Sequence, residues 1–134
     1  MKTEIAKIGD AKELEKIDEI GGKELPNWLP NRENDFVKLI KKKSIIVAKE
    51  NNKILGYLSC RPDKESKWLW LEDIYVLKNF RDKGIARLLV KEVIKYKNKK
   101  FPKRKLVLLT SDKNVKIFSK LGFKKTMNFM EYKK

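Results

Sequence analysis

The chain has no histidine, no glutamine and a single cysteine, Cys60. Without histidine, the commonest general base is missing and imidazole metal ligands are excluded. One thiol can neither close an intrachain disulfide nor build a cysteine-rich zinc site, which agrees with a reducing compartment. No metal site is expected. No apolar run is long enough to span a bilayer, and the lysine-rich start is not followed by an apolar signal segment, so the reading is a soluble, cytoplasmic protein without membrane contact. Linkers and internal repeats are also missing. The 134 residues therefore read as one domain, 1–134, able to bury one sizeable core.

What is present concentrates in Leu71 to Lys95, LEDIYVLKNFRDKGIARLLVKEVIK. Trp68 to Val76 is aromatic, β-branched and mostly apolar, the pattern of a strand buried on both faces, with only Glu72 and Asp73 interrupting it. Trp70 is expected in the core. After Lys78-Asn79 comes Arg81-Asp82-Lys83-Gly84-Ile85-Ala86-Arg87, and then Ala86, Leu89, Val90, Val93 and Ile94 fall at the spacing of a helix face. The turn thus opens a helix. The first N–H groups of a helix lack intrahelical partners and its dipole makes that end electropositive, so the turn suits an anion. Gly84 lets the backbone approach, Ala86 offers little obstruction to a diphosphate, and Arg81, Lys83 and Arg87 add charge.

A Gly-x-Ala before a helix is a weak signal alone; its position after an acidic buried strand is more restrictive. Arg81, Gly84 and Ala86 match Arg/Gln-x-x-Gly-x-Gly/Ala, and the order of elements resembles the GNAT superfamily of acyl-CoA-dependent N-acetyltransferases. Ser111 to Lys124, with Leu121-Gly122-Phe123, resembles the family's second segment facing coenzyme A. Two positions depart from that pattern: Phe118 stands where a tyrosine is frequent, and Ser111 where an asparagine is frequent.

The coarse reading gives β-α-α-β-β-β-α-β-α-β, an α/β (α+β) domain with a mixed sheet. Thr3 to Ile8 reads as a strand, Asp10 with Glu13 as a capping box, and Gly21-Gly22 as a helix stop. Pro30 to Lys42 reads as a second helix, and Ser44 to Lys49 and Ile54 to Arg61 as a hairpin about Asn51-Asn52. The long helix runs to about Lys97, followed by a strand at Lys105 to Thr110, a short helix near Asn114 to Lys120 and a last strand through Met130. The resemblance implies that the fourth and fifth strands splay apart, with the pantetheine arm of acetyl-CoA in the gap. It also implies that backbone groups at Ile74 and Val76, with Tyr75 between them, hold the arm and the acetyl carbonyl. Cofactor contacts are accordingly expected from Ile74, Tyr75, Val76, the Arg81 to Arg87 turn (including Asp82 and Ile85), Ser111 and Phe118.

Acetyl transfer to an amine needs the neutral amine. A lysine-like amine, with a pKa of about 10.4, costs roughly 4 kcal/mol to deprotonate near neutrality, and an α-amine costs much less. Glu72 and Asp73 are the candidate proton acceptors. As neighbours on a strand they should face opposite sides unless a bulge redirects one. The segment LEDIYV resembles small-amine acetyltransferases of the spermidine/spermine type, which implies Glu72 as base and Asp73 as a contact for a cationic substrate. The alternative is an ordinary ion pair at a sheet margin. Phe118 cannot protonate the departing thiolate, but the ammonium formed in the attack can supply that proton.

The net charge is +16, with basic clusters at Lys41 to Lys43, Lys97 to Lys105 and Lys124-Lys125. These attract nucleic acid, ribosomes or coenzyme A phosphates, and they oppose free polyamines at long range, although salt screens that field within about 10 Å. A lysine-rich surface is equally a heat-adaptation or genome-composition feature. Two functions follow: an acetyl-CoA-dependent N-acetyltransferase acting on a primary amine, or a basic domain of the same fold that binds RNA or a ribonucleoprotein with little catalysis. A homodimer is compatible with either.

Overall fold

The computed structural model describes residues 1–25 and 27–133. Its elements are β1 (Lys2–Ile5), a 3-10 turn (Ile8–Asp10), α1 (Ala11–Glu24), α2 (Glu33–Lys41), β2 (Ile45–Glu50), β3 (Lys53–Pro62), β4 (Trp68–Val76), a second 3-10 turn (Lys78–Phe80), α3 (Ile85–Lys100), β5 (Lys105–Val107) and α4 (Asp112–Lys120). One sheet holds all five strands in sequence order, β1 through β4 antiparallel and β5 parallel to β4.

Each face of the sheet has its own apolar layer. Ile85, Leu89, Val90 and Val93 of α3 pack on Leu58, Leu69 and Leu71, while Leu14 and Ile17 of α1 and Phe36 and Ile40 of α2 pack on Val47, Tyr57 and Tyr75. Leu14, Phe36 and Leu89 are fully buried, and each such side chain contributes about 1.5–3 kcal/mol. The β2–β3 hairpin turns at Asn51 and Asn52, both at positive φ (51° and 63°), the geometry of a two-residue primed turn that asparagine tolerates.

Several expectations need correction. Gly21 and Gly22 do not stop α1, which continues to Glu24. They are small because neighbours crowd them: a Cβ on Gly21 would lie 3.3 Å from the Tyr75 ring and one on Gly22 2.6 Å from Pro30. Asp10 does not form the expected box with Glu13. Its carboxylate accepts the Lys7 N–H and pairs with Lys49 (2.8 Å), while that of Glu13 accepts the Ile54 N–H (2.7 Å). The first half of β4 is buried on one side only, at Leu69 and Leu71, and Trp70 is half-exposed, its indole N–H reaching Asp63. The expected last strand through Met130 is not formed: β5 is the sheet's final strand, the residues after Phe123 pair with no strand, and Phe129 and Met130 are exposed. No helix among the described residues is long and apolar enough to cross a membrane.

Candidate active site

β4 and β5 pair only at Trp68, Leu69 and Trp70, so from Leu71 to Val76 the β5-facing edge of β4 is open. The Leu77 N–H donates to the Leu55 carbonyl, which makes Val76 opposite Gly56 a non-hydrogen-bonded pair. By alternation, Tyr75 spends its backbone groups on Tyr57, while those of Ile74 and Val76 point into the open edge. The Val76 carbonyl there already accepts from Arg81 Nε at 2.9 Å. The amides of both residues therefore face the open edge of β4.

A bulge alters the acidic pair. Leu71 pairs with Cys60 and Asp73 with Ser59, leaving Glu72 as an extra residue. Leu69 and Leu71, and after the bulge Ile74 and Val76, face the α3 layer. Asp73 and Tyr75 consequently face α1. Glu72 pairs with Arg61, the partner of Trp70 across the strands, and so lies on that same side. The two carboxylates therefore share a side through a bulge, the one exception allowed to their facing opposite ways.

The two acids are held differently. Glu72 is exposed and engaged by the Arg61 guanidinium. Asp73 is half-buried, with the Ser59 hydroxyl donating to it at 3.3 Å. Burial first, then the nearby Asp18 carboxylate, pushes the Asp73 carboxyl above its ordinary range; the Ser59 bond partly opposes this, and Glu72 reinforces it. Asp18 is fully buried on α1, where its carboxylate accepts the Tyr57 hydroxyl, the Asn31 N–H (2.7 Å) and the Asn31 side-chain amide (3.2 Å). A carboxylate next to Ile17 on the apolar face of a helix is a signal that the sequence reading passed over.

At the far end of β4, Gly84 caps α3 at φ +82°, and Asp82 is also at positive φ (63°). The first α3 bond runs from the Leu88 N–H to the Gly84 carbonyl, leaving the N–H groups of Ile85, Ala86 and Arg87 without intrahelical partners. Ile85 is buried in the core and anchors this end; Lys83 and Arg87 are exposed, with the Lys83 ammonium over the Phe80 ring. Arg81 is committed elsewhere. Its guanidinium forms a two-pronged pair with Glu24 (2.6 and 2.7 Å) and lies over Tyr75, whose hydroxyl donates to the same carboxylate at 2.8 Å. The Arg81 and Tyr75 bonds hold the Glu24 carboxyl down at about 2. This clamp joins the end of α1 to the β4–α3 turn across 57 residues of sequence. Ser111 is the exposed N-cap of α4, and Phe118, half-exposed, packs edge-on against Phe123. Trp28 packs against Tyr75 while Leu29 is 90 % exposed, so the α1–α2 connection presents apolar surface beside this face of the sheet.

The sequence profile described as "Acetyltransferase (GNAT) family" matches residues 12–123. No curated protein matches the sequence significantly. Among solved structures, the chain is similar to an aminoglycoside acetyltransferase from an uncultured soil metagenomic sample in complex with sisomicin, with a TM-score of 0.69, 16 % identity, and coverage of 99 % of this chain and 96 % of that one. It is similar to a probable acetyltransferase, with a TM-score of 0.73, 22 % identity, and coverage of 99 % and 96 %. A ribosomal-protein-alanine N-acetyltransferase from Brucella melitensis gives a TM-score of 0.73, 20 % identity, and coverage of 91 % and 81 %. These structures share the fold; the profile, spanning most of the chain and including β4 and the Gly84 turn, makes the protein a member of the GNAT family of acetyltransferases.

Proposed function

We propose that the protein transfers an acetyl group from acetyl-CoA directly to a primary amine, of a small molecule or of a peptide, with both bound at once. The observation that carries this reading is the bulge at Glu72, which sets two carboxylates beside an open strand edge. The amides of Ile74 and Val76 face that edge, and the unpaired amides at the start of α3 lie where the strand leads. The groups fit an extended arm ending in a diphosphate: backbone donors along β4, then the Gly84 turn, with the exposed cations Lys83 and Arg87, which take part in no salt bridge among the described residues, and with Ser111 capping α4 and Phe118 on it. Bound acetyl-CoA supplies the activated acetyl group as a thioester.

Asp73 is assigned as the proton acceptor, directly or through one water. Its raised pKa brings it nearer the working pH, which favours proton uptake, whereas the carboxylate of Glu72 is engaged by Arg61. Glu72, with the buried Asp18 behind Asp73, makes the acceptor side electronegative and attracts an ammonium form before it loses its proton. That local field opposes the repulsion expected from a net charge of +16. No acid is required at Phe118, since the amine's own proton can follow the thiolate.

The test is an amine screen following release of the coenzyme A thiol, with acetyl-CoA binding measured in parallel by calorimetry. Asp73→Asn should abolish most turnover and Glu72→Gln should chiefly raise KM for the amine, with acetyl-CoA affinity kept in both. Equal turnover of wild type and Asp73→Asn removes Asp73 from the reaction, and failure to prefer acetyl-CoA over ATP removes the cofactor assignment.

A further inference from the structure

Away from the acetyl-transfer face the molecule has a second concentration of charge. From Phe36 to Lys49 there are five lysines and no acid; from Val93 to Ser111 there are seven cations and no acid. The fold brings the two segments together. A groove of about 210 Å³ between the end of α2 and the end of α3 is lined by Lys42, Lys43 and Ser44 from one and by Tyr96 and Phe101 from the other, with Cys60 also at its wall. Tyr96 and Phe101 stand edge to face, centroids 6.0 Å apart, both half-exposed. The Lys100 ammonium lies 5.5 Å from the first ring and 5.7 Å from the second.

The cations here are not spent on acids. Among the described residues, Lys42, Lys43 and Lys100 take part in no salt bridge; of the cations in the two segments Lys49 alone is so paired, with Glu4 and Asp10, and the other paired cations, Lys2, Arg32, Arg61, Arg81 and Lys125, lie outside both segments. Asp63, next to the groove residue Pro62, turns its carboxylate to the Trp70 indole and the Glu65 N–H. Arg104 differs from the lysines: it donates to the carbonyls of Asp63, Ser66 and Trp68 and so ties down the β3–β4 loop. The C-terminus of a helix repels anions, so an anion site there needs several uncommitted cations, which the groove has.

We propose that this groove binds single-stranded RNA, its phosphates held between Lys42 and Lys43 on one wall and Lys100 on the other and one base set against the Tyr96–Phe101 pair. Free cations beside half-exposed aromatic rings are the elements of a single-strand platform, in which the backbone is tracked by charge and bases stack on rings. A duplex keeps its bases stacked inside and cannot use the rings. RNA is the polymer that presents unpaired loops and ends, with bases available for such stacking. α3 is 16 residues long, so its two ends lie roughly 24 Å apart and RNA in the groove leaves the Gly84 turn free.

The experiment is fluorescence anisotropy of a labelled twelve-nucleotide oligouridine at several salt concentrations, on the full chain. The comparison is between Lys42→Ala/Lys43→Ala/Lys100→Ala and a control that loses equal charge from α1, Lys12→Ala/Lys16→Ala/Lys23→Ala. The groove variant should raise Kd about tenfold or more and lower the salt slope by about 2, since each single-strand phosphate contact contributes roughly 0.7. The control should change Kd less than twofold. Unlabelled duplex and inorganic polyphosphate should compete several-fold less well than single strand. Equal weakening by both triple variants, or equal competition by polyphosphate, overturns the proposal in favour of undirected attraction to a basic surface; no binding at moderate salt overturns it outright. Circular dichroism melting of both variants guards against a folding defect, and acetyl-CoA binding should remain within twofold of wild type.

Discussion

The two ends of α3 are opposites. At its start, bare backbone N–H groups face the Gly84 turn, and β4, which leads into that turn, carries Glu72 and Asp73 on the side facing α1, where Asp18 is buried. At its end, the last turn has Lys97, Lys99 and Lys100, and α2 adds Lys42 and Lys43. Lysines in a last turn gain about 0.3–1 kcal/mol each from the helix dipole, which explains their presence on α3 but not the two brought in from α2. A net charge of +16 therefore conceals a local cluster of acids near one end of α3 and a cluster of lysines at the other. Composition averages away this separation of charge.

The sharpest way to break this comparison is to change one end and read the other. Asp73→Asn should lower kcat at least about 100-fold, the low end for losing a general base, while RNA affinity stays within twofold. It should also raise the melting temperature at neutral pH. Asp73 is an acid whose folded pKa is raised, so its contribution is unfavourable once pH passes its unfolded value, and a neutral amide removes that cost. A variant that is inactive and less stable would instead place Asp73 among ordinary structural acids.

Gly84→Ala acts at the same end with a smaller effect. At φ +82° a Cβ costs about 1 kcal/mol of backbone strain, and nothing lies within 4 Å to clash with it. The expected result is a rise of about five- to tenfold in the acetyl-CoA Kd, read by calorimetry, as the turn relaxes and re-aims the N–H groups of Ile85 to Arg87. An unchanged Kd would mean that the turn does not cradle the diphosphate.

These two sites differ in how far the sequence disclosed them. The Gly84 turn was legible because strand, glycine and helix face are contiguous, and the Asn51-Asn52 hairpin was legible for the same reason. The bulge was not: whether Glu72 is an extra residue depends on where β3 places Ser59 and Cys60, which is a matter of pairing across the sheet. The clamp of Glu24 on Arg81 was hidden by its separation in sequence, and Arg81 read as a phosphate ligand because the turn alone supplies no partner for it. The last strand is the converse case, since Phe123 to Met130 alternates acceptably, yet alternation does not disclose whether a segment joins the sheet, and this one does not. The basic groove was half visible: both lysine runs stand out, while their meeting over Tyr96 and Phe101 is a property of the fold.

The clamp offers a third, more modest test. Glu24→Gln should destabilise the protein at neutral pH by about 1 kcal/mol, the upper end for a partly exposed pair. Arg81, then Tyr75, lowers the Glu24 pKa to about 2 in the folded protein, so its contribution is complete above the ordinary value of 4.5 and is lost as pH falls from there toward 2. Urea titrations at pH 7, 4.5 and 2.5 should show the wild type and variant converging at the acid end. A constant gap would show that the carboxylate acts by shape rather than charge.

The smallest expected effect is at Phe118. Replacing it with tyrosine restores a hydroxyl near the proposed pantetheine arm, in a half-exposed position where the ring already packs against Phe123 and can keep its rotamer. If the amine's own proton leaves with the thiolate, Phe118→Tyr should raise kcat less than about threefold and leave the pH profile governed by the Asp73 limb. A gain of 100-fold, accompanied by a new limb at high pH from a phenol, would show that the site lacks a proton donor and that catalysis in this chain is held back by a single ring.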